Sequence, residues 1–106
     1  MTASETVVST EIESRDDQVI TLRECGCTYL AIATQLELGR ATMARKSYLR
    51  GLKRRSPEEQ TILRRHELER FDALAKNIAA RNDLDHNEIN RRLATVDVLR
   101  QELLDG

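Results

Sequence analysis

Between Leu38 and Pro57 the chain places Arg40, Arg45, Lys46, Arg50, Lys53, Arg54 and Arg55, and not one acid. Cations without carboxylates suit the binding of a polyanion, because phosphate-rich backbones are held by summed positive charge. The same run also suits a solvated helix face, and charge alone does not separate the two. Thr42 and Arg45, three residues apart, share one face of any helix built here, as base-reading side chains must. Arg40, Thr42 and Arg45 are therefore candidates for base or phosphate contact, with Arg45 reaching a guanine edge. Lys46, Arg50, Lys53, Arg54 and Arg55 are candidates for phosphate contacts, which position a protein on DNA without reading its sequence. Glu58 and Glu59 are alternative partners for some of them. Thr28 and Tyr29 open a further helix, where backbone N–H groups and a hydroxyl can meet a phosphate; Tyr29 can equally be a packing residue.

Little other chemistry is on offer. Cys25, Cys27, His66 and His86 invite a zinc site, yet the cysteines are separated by a single residue and the histidines lie on different helices. Zinc sites use wider cysteine spacing and histidines three to five apart. Cys25 reads instead as a small buried hydrophobe at a helix end. There is no Ser-His-Asp order, no glycine-rich phosphate loop and no cluster of carboxylates, so neither an enzyme nor a cofactor is expected. With no apolar run near the length of a membrane span, no secretory leader pattern and two thiols that read as reduced, the expected setting is the cytoplasm.

Helices must position the basic run. The 106 residues are 40% apolar and 33% charged but only 3% aromatic, with four Gly and one Pro. A β-sandwich or barrel needs far more turn residues, so the composition points to an all-α chain. The charge is partitioned: residues 1–14 carry net −3, residues 15–57 carry nine cations against four acids, and residues 58–106 eight cations against eleven. Residues 1–14, rich in Ser, Thr and Glu, are expected to be a disordered tail. A first helix is expected from Arg15 to Glu24, with Asp16 and Asp17 in its first turn and Gly26 as its stop. Thr28 is placed to cap a second helix, Tyr29–Gln35, whose Ile32, Ala33 and Leu36 face inward. A third helix is expected from Arg40 to about Leu52, with Met43, Tyr48, Leu49 and Leu52 apolar. Residues 15–55 thus form a three-helix unit.

Ser56-Pro57-Glu58-Glu59 reads as a capping box that starts a long helix reaching about Arg81. Asp85 and Glu88 repeat the arrangement before a last helix. Residues 56–106 are accordingly expected to be an antiparallel helical hairpin. Leu68, Phe71, Leu74 and Ile78 on one helix, and Ile89, Leu93, Val96, Leu99 and Leu103 on the other, are its apolar stripes and the expected interface of a homo-oligomer.

The stretch GCTYLAIATQLELGRATMAR, from Gly26 to Arg45, resembles a helix-turn-helix, whose pattern runs roughly G-x-[ST]-[YF]-x-x-I-A-x-x-L-G-[LV]-S-x-x-T-V-x-R. Ala33 is small where the two helices cross, and Ile32, Leu36, Leu38 and Met43 fill the crease. Glu37 stands where the pattern has its turn glycine, and Gly39 where it has a serine N-cap. A left-handed turn at Glu37 costs about 1 kcal/mol relative to glycine.

The opening from Arg15 to Tyr29, the basic connector and the block Arg65-His66-Glu67-Leu68-Glu69-Arg70-Phe71-Asp72-Ala73-Leu74 are similar to small terminase subunits of tailed phages and their prophage relatives. A break at Asp83–Asp85 and a final helix at His86–Leu104 continue the likeness. The resemblance implies a double-stranded DNA-binding subunit that self-assembles through its hairpin and passes viral DNA to a large ATPase-nuclease subunit. A transcriptional regulator built on the same motif, or a helical adaptor whose basic run meets an acidic protein, are the alternative expectations.

Overall fold

The computed structural model describes residues 3–105, with side chains from Thr10 to Asp105. The described residues form five α-helices and no strand: α1 (Ala3–Glu24), α2 (Tyr29–Gln35), α3 (Ala41–Lys53), α4 (Pro57–Ala79) and α5 (His86–Asp105). The chain divides into two compact units, Met1–Ser56 and Pro57–Gly106.

The first helix corrects an expectation. α1 begins at Ala3, not Arg15, so residues 3–14 are helical where a disordered tail is expected; Met1 and Thr2 lie outside the described residues. No Gly or Pro interrupts the first 24 residues, and Ser, Thr and Glu cost only tenths of a kcal/mol each in a helix interior. Asp16 and Asp17 consequently sit deep within α1, too far from its N-terminus to interact with the helix dipole.

Two helix ends are closed by the same device. At the end of α1 the Cys27 N–H donates to the Leu22 carbonyl (3.1 Å) and the Gly26 N–H to that of Arg23 (3.0 Å), with Gly26 left-handed at φ 96°. At the end of α2 the Leu38 N–H donates to the Ala33 carbonyl (2.8 Å) and the Glu37 N–H to that of Thr34 (3.4 Å), with Glu37 at φ 55°. Both are Schellman closures, which need a left-handed residue just beyond the helix. Glycine meets that need without strain at Gly26, whereas Glu37 meets it against its own Cβ.

α1, α2 and α3 pack around Val19, Ile20, Ile32, Ala33, Ala44, Tyr48 and Leu52, all buried. A Cβ added to Gly51 would lie 2.7 Å from Ile20 Cδ1 and 3.3 Å from the Asp16 carbonyl, so glycine lets α3 cross close to α1. Met43 departs from expectation: it is 45% exposed. The inward face of α3 is made by Ala44, Ser47, Tyr48, Gly51 and Leu52, and at 100° per residue Met43 lies about 100° round the helix from the centre of that face. Cys25 is likewise exposed, not buried, since it is the last residue before the turn at Gly26.

In the second unit α4 packs on α5 around Leu63, Phe71, Ile78, Val96 and Leu103. Arg64 Nε donates to the Leu103 carbonyl (3.3 Å), and farther along α4 Asp72 pairs with the earlier Arg100 of α5 (2.7 Å), so the helices run in opposite directions. Asp85 Oδ1 accepts the Glu88 N–H (2.8 Å) and caps α5.

Candidate nucleic-acid interface

α3 has two unlike faces. At 100° per residue, its buried residues fall on one side and Thr42, Lys46 and Lys53 fall together on the other, all exposed. Met43 and Arg50 flank this strip on one edge and Arg45, half-buried, on the other. Arg40 is the N-cap of α3, extended (φ −136°, ψ 150°) and exposed, with no side-chain cap bond. The cap thus falls on Arg40, one residue after the expected Gly39, which takes φ 89°.

Arg50, Arg54 and Arg55 are engaged with α1. Asp16 is fully buried, and its carboxylate accepts from the Ser47 hydroxyl, from Arg50 Nε (3.3 Å) and Nη2 (3.1 Å), and from Arg54 Nη1 (3.1 Å). Arg54 Nη2 also donates to the Glu13 carbonyl (3.3 Å). Arg55 pairs with Asp17 at 3.2 Å. The side chains of Arg50, Arg54 and Arg55 remain 50%, 36% and 29% exposed: Arg50 is held along its Nε–Nη2 edge, Arg54 through Nη1 and Nη2 and Arg55 through Nη2, and none is enclosed. Burial pushes the Asp16 carboxyl up; the hydrogen bonds from Ser47, Arg50 and Arg54, with the Arg50 charge, outweigh it and hold Asp16 below the ordinary carboxylate range. Asp16 and Asp17 thus meet these arginines, and both stand outside the expected pair of partners, Glu58 and Glu59.

At the start of α2, Thr28 Oγ1 accepts the Ala31 N–H (3.1 Å), the cap expected of it. Tyr29 serves packing: its ring meets Tyr48 edge-on at 6.0 Å and carries the Arg23 guanidinium 4.1 Å above its face. Arg23 Nη1 also donates to the Cys27 carbonyl (3.1 Å), tying the end of α1 to the start of α2.

Asp16 and Ser47 join the basic segment in the structure, though charge counting overlooks them. The signal is in the sequence: Asp16 precedes Val19 and Ile20 by three and four, and so sits on the apolar stripe of its helix. An acid there needs a partner, and in the folded unit Arg50 and Arg54 reach it from α3 and its end.

In the second unit, Phe71, Ile78, Val96 and Leu103 of the expected oligomer interface are buried between α4 and α5. Leu68, Ile89, Leu93 and Leu99 are half-buried, and Leu74 is 43% exposed. Ile62, Val98 and Leu104, outside the expected stripes, are 45%, 58% and 57% exposed. A groove between α4 and α5 is lined by Leu74, Ile78, Val96 and Leu99, with Arg81 and Arg92 among its polar residues. Arg81 Nε donates to Asp83 (2.9 Å), and this bond holds the Asp83 carboxyl down at about 2. No group of three or more His, Cys, Asp or Glu side chains is placed to hold a metal ion among the described residues. Nor is any described helix long and apolar enough to cross a membrane. No protein family, curated protein or solved structure matches the chain.

Proposed function

We propose that residues 15–55 act as a helix-turn-helix that binds double-stranded DNA through α3, and that residues 56–106 act as a helical hairpin for self-association. The observation that carries this reading is the exposed strip Thr42–Lys46–Lys53. It is flanked by Arg45 and Arg50, headed by Arg40, and backed by a face of α3 that is wholly buried. A rigid cationic helix with a packed rear face is what insertion into a major groove requires. The left-handed turn at Glu37, in the place of the motif's glycine, supports the same reading.

On this reading Arg40, Thr42 and Arg45 meet bases or phosphates, while Lys46, Arg50, Lys53, Arg54 and Arg55 meet phosphates. One head of this size touches few bases, so linked heads gain through effective concentration, and exposed Leu74 with the half-buried stripe offers the surface for a second copy. The task most in keeping with the sequence resemblance is that of a small terminase subunit-like DNA-recognition protein, with a large ATPase-nuclease subunit as a further partner; transcriptional regulation by the same motif is the alternative role.

A second reading is a helical adaptor for an acidic protein. It is favoured by the capture of Arg50, Arg54 and Arg55 by Asp16 and Asp17, which leaves fewer cations for a duplex. Molar mass in solution and affinity for a random-sequence duplex, measured over a salt series, separate the two. With about four phosphates met per head, log K falls against log salt with a slope of about −3.6 per head. Arg40→Ala with Arg45→Ala should weaken the complex. Unchanged affinity in that variant, or no binding at low salt, gives the adaptor reading precedence.

A further inference from the structure

Asp16 and Asp17 are neighbours in sequence, both on α1, and both bonded to arginines at the C-terminal end of α3, yet their surroundings are opposite. The Asp17 side chain is 58% exposed and holds Arg55 in a surface pair. The Asp16 side chain is wholly buried, accepts from Ser47 as well, and receives Arg50 side-on through Nε and Nη2. A surface pair of the first kind is worth little and costs the basic face one unit of charge. A buried carboxylate that spans two arginines fixes both in one stance, and a planar guanidinium held by one edge still presents the other to a phosphate.

We propose that Asp16 is a positioning residue for DNA binding, holding Arg50 pre-formed so that its outward Nη1 side meets a phosphate oxygen, with Arg54, also tied to the Glu13 carbonyl, steadied beside it. The proposal rests on the DNA-binding reading above. It runs against simple charge counting, under which removal of any acid from a DNA-binding surface tightens the complex. The two aspartates therefore answer with opposite signs. In Asp17→Asn, the duplex is bound about twofold more tightly, as expected for relief of a surface pair. In Asp16→Asn, affinity falls about tenfold, the equivalent of 1.4 kcal/mol. The salt slope also becomes shallower by about 0.9 for each phosphate no longer met.

The experiment is fluorescence anisotropy of a random-sequence duplex across a salt series, on the full chain, with helicity checked by far-UV circular dichroism. A merely structural role for Asp16 lowers the fraction of folded protein and leaves the slope unaltered; that result overturns the proposal, as does equal or tighter binding by Asp16→Asn. Should Asp16→Asn not fold, the free wild-type protein supplies the measurement. The Arg50 Nε–H resonance is then expected to be rigid and slowly exchanging, and one as mobile as that of exposed Arg91 overturns the role. Failure of the wild type to bind duplex at low salt defeats the DNA reading and this role with it, whereas wild-type binding with an unaffected Asp16→Asn defeats the role alone.

Discussion

The two units solve one problem, burying a helix face, with different numbers of helices. In the first, α3 packs against both α1 and α2, and Val19, Ile32, Tyr48 and Leu52 are excluded from water almost completely. In the second, α4 and α5 have only each other among the described elements of that unit, and Ile62, Leu74, Val98 and Leu104 remain about half exposed. Each unit also buries a carboxylate. Asp16 is gripped by residues 31 to 38 positions away, on α3 and at its C-cap, and Glu67 has among its contacts Arg70, one turn along its own helix (2.8 Å). In the first unit a buried acid ties two helices together. Two helices supply a seam, and a seam leaves surface for something else to cover.

The largest expected effect falls on the thinner core. Phe71→Ala should cost about 3–4 kcal/mol, the loss usual for a buried aromatic. In a two-helix unit that is enough to abolish a cooperative transition while the first unit still melts; urea unfolding followed by helicity should show one transition lost and one kept. If both units fail together, the contrast between them is false.

Next in size is Asp16→Ala, which should destabilise the first unit by about 2–3 kcal/mol, because a buried charge-assisted network loses its centre. The same group sets a pH dependence. Since its folded value lies below the unfolded one near 3.8, Asp16 contributes stability fully above the unfolded value, and that contribution is lost as pH falls through the folded value. Acid titration should therefore lower the melting temperature of wild type below about pH 4 more than that of Asp16→Ala.

The smallest effect sharpens the comparison of the two Schellman closures. Glu37→Gly should raise stability by about 0.5 kcal/mol, the left-handed strain of about 1 kcal/mol relieved less the added freedom of the unfolded chain. A thermal shift of a few degrees measures it, and a downward shift would mean that the Glu37 side chain does more than occupy the turn.

What the sequence discloses and what it conceals divide along the same lines. Gly26 as a stop, Thr28 and Asp85 as caps, and the Tyr29–Gln35 bounds of α2 are legible because capping is chemistry between residues a few positions apart. The start of α1 is not legible, for residues 3–14 carry neither a strong helix signal nor a breaker. Met43 is misjudged because inwardness on α3 is decided by how near α1 comes, and that shows only once Gly51 and Ser47 are seen packed against Ile20 and Asp16. At the candidate interface, the seven cations are plain in the sequence, but their division into anchored arginines and outward lysines depends on an acid more than thirty residues upstream.

That dependence bears on how the basic segment can be used apart from its chain. A synthetic peptide spanning residues 38–57 would carry every one of the seven charges yet keep neither the carboxylate that aligns two of its arginines nor the aliphatic backing that straightens the helix. Its attraction to any polyanion would be that of a flexible cation, salt-sensitive and indifferent to shape. On the DNA-binding reading proposed above, any discrimination between one duplex and another would stay behind with α1.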